Sequence, residues 1–355
     1  MTRWQGMLAL ALLAALLVAC GGGAAEPQDE ATAGATVRLM THDSFDVSAE
    51  VLAAFEARTG ITVEVFKAGD GGEALNKAIL SKDAPLADVF YGVDNTFLQR
   101  ALDNDIFLPY DSPALADIPA ALQLDPEHRA LPVNYGDVCL NVDMAWFDEH
   151  GLPPPADLDA LADPAYADLT VVQNPATSTP GLAFLLATVE TYGEDGYLDY
   201  WQRLVDNNVL VANGWEEAYY TYFTAASDGD RPIVVSYASS PVAEVYFAET
   251  PPETPPTAAV IADGSCFRQI EFAGILSGTK VEDAARQLVD FMLSTPFQED
   301  IPLKMFVYPA NEKAALPEVF TQYSHTPAAP VQMAPARIAA NREAWIQAWT
   351  ETVLR

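Results

Sequence analysis

The feature that most constrains this chain is a repeated alternation of strand-like and helix-like segments. Residues 37–40 read as a short buried strand, and the apolar residues after it recur with helical spacing until Gly60, a residue suited to a left-handed helix end. A second strand pattern at 61–66, a helix at 73–80 and a third strand at 87–91 follow. Repeated βα units of this kind predict a parallel sheet with helices on both faces, and hence an α/β fold.

A second βα series begins after residues 133–136 and predicts a second lobe. It contains a strand at 169–173, an apolar helix at 181–191, an aromatic helix at 216–223 and a strand at 231–237. A chain of 355 residues suits two domains of about 100–200 residues each. We therefore predict two lobes, each a mixed sheet flanked by helices, with a ligand cleft between them. The predicted division is 37–132 plus 268–315 for lobe 1, and 133–267 plus 316–355 for lobe 2.

The N-terminus predicts export and a lipid anchor. Arg3 precedes an apolar run over 7–19, which is too short to span a bilayer that needs about 20 helical residues. The residues leading to Cys20 resemble the cleavage site of a bacterial lipoprotein; the alternative is an ordinary signal peptide in which Cys20 is incidental. We expect an extracytoplasmic protein anchored to the cell membrane through Cys20. Its predicted parts are a signal peptide at 1–19, then the lipidated cysteine and a flexible tether over 20–36.

The charge balance excludes one class of partner, nucleic acid. The chain has 50 Asp and Glu against 18 Lys and Arg, a formal net charge of −32. Such a surface repels phosphate backbones and anionic lipid head groups and attracts cations. Nucleic acid is therefore excluded as a partner.

Cys139 and Cys266 are the two cysteines that remain outside the membrane, where oxidising conditions permit a disulfide. Both lie in alternating, strand-like stretches, at 137–143 and 266–272. If those strands pair side by side, the two sulfurs come within reach of each other. The sequence leaves two alternatives open, a disulfide or two separate buried thiols.

The sequence lacks the signatures of catalysis and of cofactor binding. The four histidines are scattered without the spacing of a zinc site, and no Gly-x-Ser-x-Gly or Walker loop occurs. Residues 69–74 match Gly-x-Gly-x-x-Ala, but Asp70 would place a carboxylate where a dinucleotide puts its pyrophosphate. The segment is either a glycine turn that starts a helix or a binding turn for a cationic or hydroxylated ligand. We expect no metal, no cofactor and no enzyme, with an exported hydrolase as the enzymatic alternative.

Three segments have the composition of cleft walls. Residues 177–181 begin a helix after a strand, so that free backbone N–H groups and hydroxyls point to one place. Residues 214–219 place Trp215 and two carboxylates at a loop-to-helix junction, where they suit an organic cation. Residues 237–241 offer a phenol and two hydroxyls where a parallel strand opens into a cleft. The alternatives are a simple helix cap for the first segment and a core tryptophan for the second.

Taken in chain order, these segments resemble the landmarks of the thiamine-binding proteins of bacterial ABC importers. The resemblance covers residues 37 to 355 and includes the C-terminal helix at 335–349. It implies a type II periplasmic-binding-protein fold, thiamine and its phosphate esters as transported ligand, and an ABC permease as membrane partner. It also implies that no chemistry is done on the ligand, and we expect a monomer. The motifs are THDSF at 41–45, DG at 70–71, GVDN at 92–95, TSTPG at 177–181, GWEEAY at 214–219 and YASSP at 237–241.

The resemblance also implies individual ligand contacts. Trp215 and Tyr237 would stack on the flat rings and the thiazolium charge of thiamine. Asp70 would accept a hydrogen bond from the aminopyrimidine, and serine and threonine hydroxyls would bind polar edges or a phosphate. His42 stands where the family often has a tyrosine. The predicted ligand-binding residues are Asp70, Gly71, Ser178, Thr179, Trp215, Tyr237, Ser240 and His42.

Two other ligands remain as alternatives. A ferric-ion binding protein shares this architecture and uses adjacent tyrosines, and Tyr219-Tyr220 is such a pair. Neighbouring side chains on a helix diverge by about 100°, however, so both rarely reach one metal. A polyamine suits an acidic cleft, but it requires several carboxylates along a channel and little stacking. The combined motifs favour thiamine over both.

Overall fold

The computed structural model describes residues 32–355; the predicted signal peptide, Cys20 and most of the predicted tether lie outside this range. Thr32 is buried, and its hydroxyl accepts a hydrogen bond from Gln287 Nε2 at 2.9 Å. The Gly34 N–H donates to the carbonyl oxygen of Gly60 at 2.8 Å. Residues 32–36 are therefore part of the folded body, which corrects the predicted tether boundary at residue 36. None of the helices in the described range is long and apolar enough to cross a membrane.

Strands and helices alternate through the described part of the chain. The strands are β1 (Thr36–Thr41), β2 (Thr62–Lys67), β3 (Val89–Asp94), β4 (Phe107–Leu108), β5 (Leu131–Asp143), β6 (Thr170–Gln173), β7 (Leu210–Ala212), β8 (Ile233–Tyr237), β9 (Thr257–Val260), β10 (Phe267–Leu276) and β11 (Tyr308–Pro309). The helices are α1 (Ala49–Thr59), α2 (Gly71–Leu80), α3 (Leu98–Asp103), α4 (Met144–His150), α5 (Leu158–Leu161), α6 (Thr179–Tyr192), α7 (Tyr197–Asp206), α8 (Trp215–Glu217), α9 (Ser240–Tyr246), α10 (Glu282–Leu293), α11 (Thr295–Gln298), α12 (Ile301–Lys304), α13 (Glu318–Tyr323) and α14 (Pro335–Val353).

The strands form one mixed sheet in which two parallel groups are joined by long antiparallel strands. The order along the sheet is β2-β1-β3-β10-β5-β8-β6-β7. β1 is parallel to β2 and β3, and β6 is parallel to β7 and β8, which confirms the parallel βα units predicted from the sequence. β5 and β10 are antiparallel to each other and link the first lobe, which carries β1–β4, to the second lobe, which carries β6–β9. The predicted lobe boundaries, at 132/133 and 267/268, fall inside these two linking strands, and that division remains our proposal.

Local sequence explains several helix ends. α1 ends at Thr59 and is capped by Gly60, whose φ of 69° is left-handed and whose N–H donates to the Glu56 carbonyl at 2.7 Å. α2 begins at Gly71, two residues earlier than predicted, because the Asp70 carboxylate accepts the Gly71 N–H at 2.7 Å. α6 is buried on every side from Thr179 to Val189, as its continuous apolar sequence predicts.

The aromatic helix predicted at 216–223 differs from the structure. α8 ends at Glu217, and the chain continues through Ala218–Tyr222 as a π-helical turn. The Phe223 N–H donates to the Ala218 carbonyl at 3.1 Å, a bond that spans one residue more than an α-helical bond. Such turns are often found at functional sites, and this one borders the cleft.

Cys139 and Cys266 form a disulfide with an S–S distance of 2.11 Å. The register explains the contact, because Val138 on β5 lies opposite Phe267 on β10, which brings the neighbouring cysteines together. The strand pairing considered in the sequence analysis is therefore present. The bond fastens the two strands that connect the lobes.

Candidate functional site

A cavity of about 860 Å³ lies between the two lobes, within the range of about 300–1,000 Å³ that small-molecule sites occupy. The loop after β1 and the start of α2 form its first wall, and the starts of α6, α8 and α9 form the other. Ser178 is fully buried and does not belong to the lining, so the structure does not support the ligand contact predicted for it. The other predicted residues all line the cavity: His42, Asp70, Gly71, Thr179, Trp215, Tyr237 and Ser240.

Trp215, the first residue of α8, presents a fixed aromatic surface to the cavity. Its ring stacks on Tyr219, with centroids 4.9 Å apart and planes inclined by 26°. Its indole N–H donates to the hydroxyl of Ser236 at 2.9 Å. The ring is only partly buried, which argues against the alternative of a core tryptophan. A ring held by two contacts is ready to stack on a flat or cationic ligand.

Tyr237 and Ser240 belong to a fixed hydrogen-bond network. The Ser240 hydroxyl accepts the Tyr237 N–H at 3.1 Å and lies 2.8 Å from the Ser236 hydroxyl. The Tyr237 hydroxyl donates to Gln269 Oε1 at 2.6 Å, and Gln269 Nε2 donates to the Asp94 carboxyl at 2.7 Å. Burial raises the pKa of Tyr237 well above its ordinary value, so that the phenol stays neutral. This wall of the cavity is therefore preorganised and uncharged at Tyr237.

Glu271 on β10 is a site residue that sequence reasoning missed. Its carboxylate lines the cavity, with Oε1 at 3.3 Å from His42 Nε2, while Oε2 accepts the Tyr91 hydroxyl at 2.7 Å. The His42 ring packs on Gly92, where a Cβ would lie 2.5 Å from His42 Cδ2 and where φ is 107°. Only glycine suits that position. A carboxylate next to Ile270 and Phe272 in the strand-like stretch 266–272 was the signal that could have revealed Glu271.

His42 and Glu271 form a buried ion pair. Burial alone would lower the pKa of His42, but the charge of Glu271 and its hydrogen bond, followed by the charges of Asp70 and Asp43, raise that pKa above 6.5. Burial works to raise the pKa of Glu271, but the charge of His42 and the hydrogen bonds from His42 and Tyr91 lower it below 4.5. Each partner therefore stabilises the charged form of the other.

We expect this pair to make stability depend on pH. The contribution of His42 is full below its unfolded pKa of 6.5 and is lost as pH rises through its raised folded pKa. The contribution of Glu271 is present above 4.5 and is lost as pH falls through its lowered folded pKa. The melting temperature of wild type should therefore fall as the pH rises above 6.5, and this fall should be absent in His42→Gln. The exposed His325→Gln is the control, and superimposable pH profiles for wild type and His42→Gln would contradict the assignment.

The cavity lining is strongly acidic. It contains seven carboxylates and two lysines, and both lysines are already engaged. Lys67 Nζ donates to the Asp43 carbonyl at 2.7 Å, and Lys304 Nζ lies 3.2 Å from Asp46 Oδ2. Such a lining favours a cationic ligand. The carboxylates belong to Asp43, Asp46, Asp70, Glu73, Glu216, Glu217 and Glu271.

Two further aromatic residues that the sequence analysis did not single out line the cavity. Phe247 follows α9 and is 71% exposed, and Phe306 lies between α12 and β11 with a left-handed φ of 54°. Their ring centroids lie 5.5 Å apart. Because the two residues are far apart in the sequence, no local pattern could have identified this contact.

The adjacent tyrosines are not arranged to share a metal ion. Tyr219 is 3% exposed and donates its hydroxyl to Glu244 Oε1 at 2.7 Å, whereas Tyr220 is 59% exposed. The rings are inclined by 73°, as the divergence of neighbouring helical side chains predicts. Over residues 32–355, no group of three or more His, Cys, Asp and Glu side chains is placed to hold a metal ion.

The chain is similar to known solute-binding proteins in both sequence and structure. The family model described as bacterial extracellular solute-binding protein matches residues 84–327. The thiamine-binding periplasmic protein of Escherichia coli K12 is 31% identical over 323 residues, which cover 89% of this chain and 93% of that protein. Its counterpart in Brucella suis is 28% identical over 331 residues, which cover 90% and 92% of the two chains.

Solved structures support the same relationship. A periplasmic thiamin binding protein superimposes with a TM-score of 0.81 and 29% identity over 93% of this chain and 99% of that one. The ferric binding protein from Campylobacter jejuni superimposes with a TM-score of 0.70 over 89% of this chain and 99% of that one, but at 16% identity. The second likeness shows the fold alone. Together they confirm the predicted type II periplasmic-binding-protein fold.

Proposed function

We propose that this chain captures thiamine and its phosphate esters for an ABC importer. The chain belongs to the bacterial extracellular solute-binding proteins, and it is 31% identical to a thiamine-binding periplasmic protein. The protein works outside the cytoplasm, and its partner is the permease of that importer. The ligand passes to the permease chemically unchanged. In this function the chain is a binding protein and not an enzyme, and it acts as a monomer.

One observation carries the proposal for the ligand: Trp215 lies in a cavity whose lining holds seven carboxylates. A thiazolium is a flat organic cation, so that it gains from stacking on an aromatic face and from the field of nearby carboxylates. The fixed ring of Trp215 supplies the face, and Glu216 and Glu217 follow it directly on α8. A polyamine has no flat ring, and it would leave the stacking surface of Trp215 unused.

Isothermal titration of the mature chain tests this proposal. We expect thiamine to bind at one site per chain, and its monophosphate and diphosphate to compete for that site. Spermidine and ferric ion are the comparison ligands. Tight binding of either of them without binding of thiamine would contradict the proposal. Mass spectrometry of the recovered ligand should find thiamine intact, and a modified product would contradict the absence of catalysis.

We also propose that Cys20 anchors the mature chain to the membrane through lipid. This part of the proposal is supported by the sequence alone, since Cys20 lies outside the described residues. Cys20→Ser should release the protein from the membrane fraction into the soluble fraction, because serine lacks the thiol to which the lipid is attached. A variant that stays in the membrane fraction would contradict the anchor.

A further inference from the structure

The Asp70 carboxylate accepts hydrogen bonds from both lobes, which a simple ligand contact would not require. It is the N-cap residue of α2 in the first lobe, and its Oδ1 accepts the Gly71 N–H at 2.7 Å. The same oxygen accepts the N–H of Thr179 at 3.1 Å, and Oδ2 accepts the N–H of Trp215 at 3.2 Å. Thr179 and Trp215 are the first residues of α6 and α8, which belong to the second lobe. One carboxylate therefore caps α2 in its own lobe and the first residues of α6 and α8 across the cleft.

The second-lobe helices lack caps of their own. The N-cap position of α6 is Ser178 and that of α8 is Gly214, and neither makes a side-chain capping bond. A helix begins with unpaired N–H groups and a partial positive charge, which a carboxylate satisfies well. Asp70, in the first lobe, thus provides the side-chain cap that α6 and α8 do not receive from residues of the second lobe.

The glycines around Asp70 allow the two lobes to touch. A Cβ on Gly71 would lie 2.6 Å from Thr179 Cγ2, and a Cβ on Gly72 would lie 2.9 Å from the Thr177 carbonyl oxygen. A side chain at either position would force the start of α2 away from the start of α6. The contact therefore depends on glycine on one side and on uncapped N–H groups on the other.

We propose that Asp70 is an interlobe clasp: its carboxylate caps α6 and α8 from the opposite lobe and thereby holds the cleft closed over its ligand. This role differs from the hydrogen bond to the aminopyrimidine that the family resemblance implies for Asp70. The clasp rests on the proposed function in one respect only, namely that thiamine is chosen as the ligand that probes it. Asp70 is then a positioning residue whose effect on affinity is exerted through closure.

Asp70→Asn tests the clasp, because the amide keeps one acceptor oxygen but turns N–H groups toward the N–H donors of the second lobe. We expect the dissociation rate of thiamine to rise about 10- to 100-fold, the effect of losing hydrogen bonds to a charged group. Small-angle scattering without ligand should show a larger radius of gyration. Asp157→Asn is the matched control, since Asp157 caps α5 within one lobe by accepting the Ala160 N–H at 2.8 Å. That control should change neither quantity.

A thiamine analogue separates the clasp from a ligand contact. In this analogue a hydrogen atom replaces the 4-amino group of the pyrimidine, so that no donor remains at that position. A clasp predicts that Asp70→Asn weakens thiamine and the analogue by the same factor. A direct contact to the amino group predicts that the factor shrinks for the analogue, and that result would overturn the proposal. If wild type binds neither compound, the proposed function fails, but the scattering comparison still decides on the clasp.

A second pair of variants tests closure without changing the carboxylate. Gly71→Ala should open the cleft and accelerate dissociation, because the new methyl meets Thr179 Cγ2. Adding Thr179→Ser removes that methyl while it keeps the hydroxyl, and should restore much of the lost affinity. Gly71→Ala with wild-type scattering and a wild-type dissociation rate would overturn the proposal, as would an Asp70→Asn variant that is folded and unchanged in both.

Discussion

Trp215→Ala should lower the affinity for thiamine by about 30- to 1,000-fold, equivalent to about 2–4 kcal/mol, while the melting temperature stays close to that of wild type. The reason is the position of the ring, which is partly buried, stacks on Tyr219 and lines the cavity. Truncation removes a stacking surface from the ligand. It leaves the Ser236 hydroxyl with the Ser240 hydroxyl as a partner, 2.8 Å away. Titration calorimetry and thermal unfolding of the same preparation measure both quantities.

A core tryptophan supplies the contrast for this experiment. Trp201 on α7 is 1% exposed, and its indole N–H donates to the Thr188 hydroxyl at 2.9 Å. Trp201→Ala leaves a cavity in the core and should cost about 3–5 kcal/mol of stability. If Trp215→Ala instead behaves like Trp201→Ala, with a large fall in melting temperature and with intact affinity in the folded fraction, then Trp215 is a structural residue and the ligand binds elsewhere.

Short-range patterns were sufficient to predict most of the fold. The apolar run of β1, the left-handed Gly60 at the end of α1 and the fully buried α6 are each determined by residues next to one another in the chain. Parallel pairing followed from the βα order. The linking strands β5 and β10 were seen only in part, because β5 also pairs with β8, β9 and β11, and such pairing depends on segments distant in sequence.

The segments that line the cavity could be predicted from sequence motifs, but the contacts that each side chain makes could not. Tyr237 and Trp215 could be predicted to line the cavity because each lies at the end of a strand or the start of a helix, where an α/β fold opens its cleft. Glu271 was missed because its contact with His42, which follows β1, joins residues that are far apart in the sequence. Ser178 was predicted to face the ligand, but its side chain is buried. The N–H of the next residue, Thr179, donates to Asp70 of the other lobe. Contacts of this kind arise only when the two lobes meet.

The disulfide gives the second large expected effect. Cys139 and Cys266 are separated by 127 residues, and closing so long a loop removes much of the conformational freedom of the unfolded chain. The Cys139→Ala, Cys266→Ala double variant should therefore lose about 2–5 kcal/mol of unfolding free energy. Denaturant unfolding of wild type, of the double variant, and of wild type under reducing conditions measures the loss.

Ligand binding separates this loss from damage to the site. Neither cysteine lines the cavity, and both are buried between β5, β9 and β10. The backbone pairing of β5 with β10 does not depend on the sulfurs, so the folded double variant should bind thiamine within about threefold of wild type, a difference below 1 kcal/mol. If unfolding of the double variant matches that of oxidised wild type, then the hydrogen bonds of β5 and β10 alone hold the linking strands together. If affinity falls together with stability, the disulfide also sets the geometry of the hinge between the lobes.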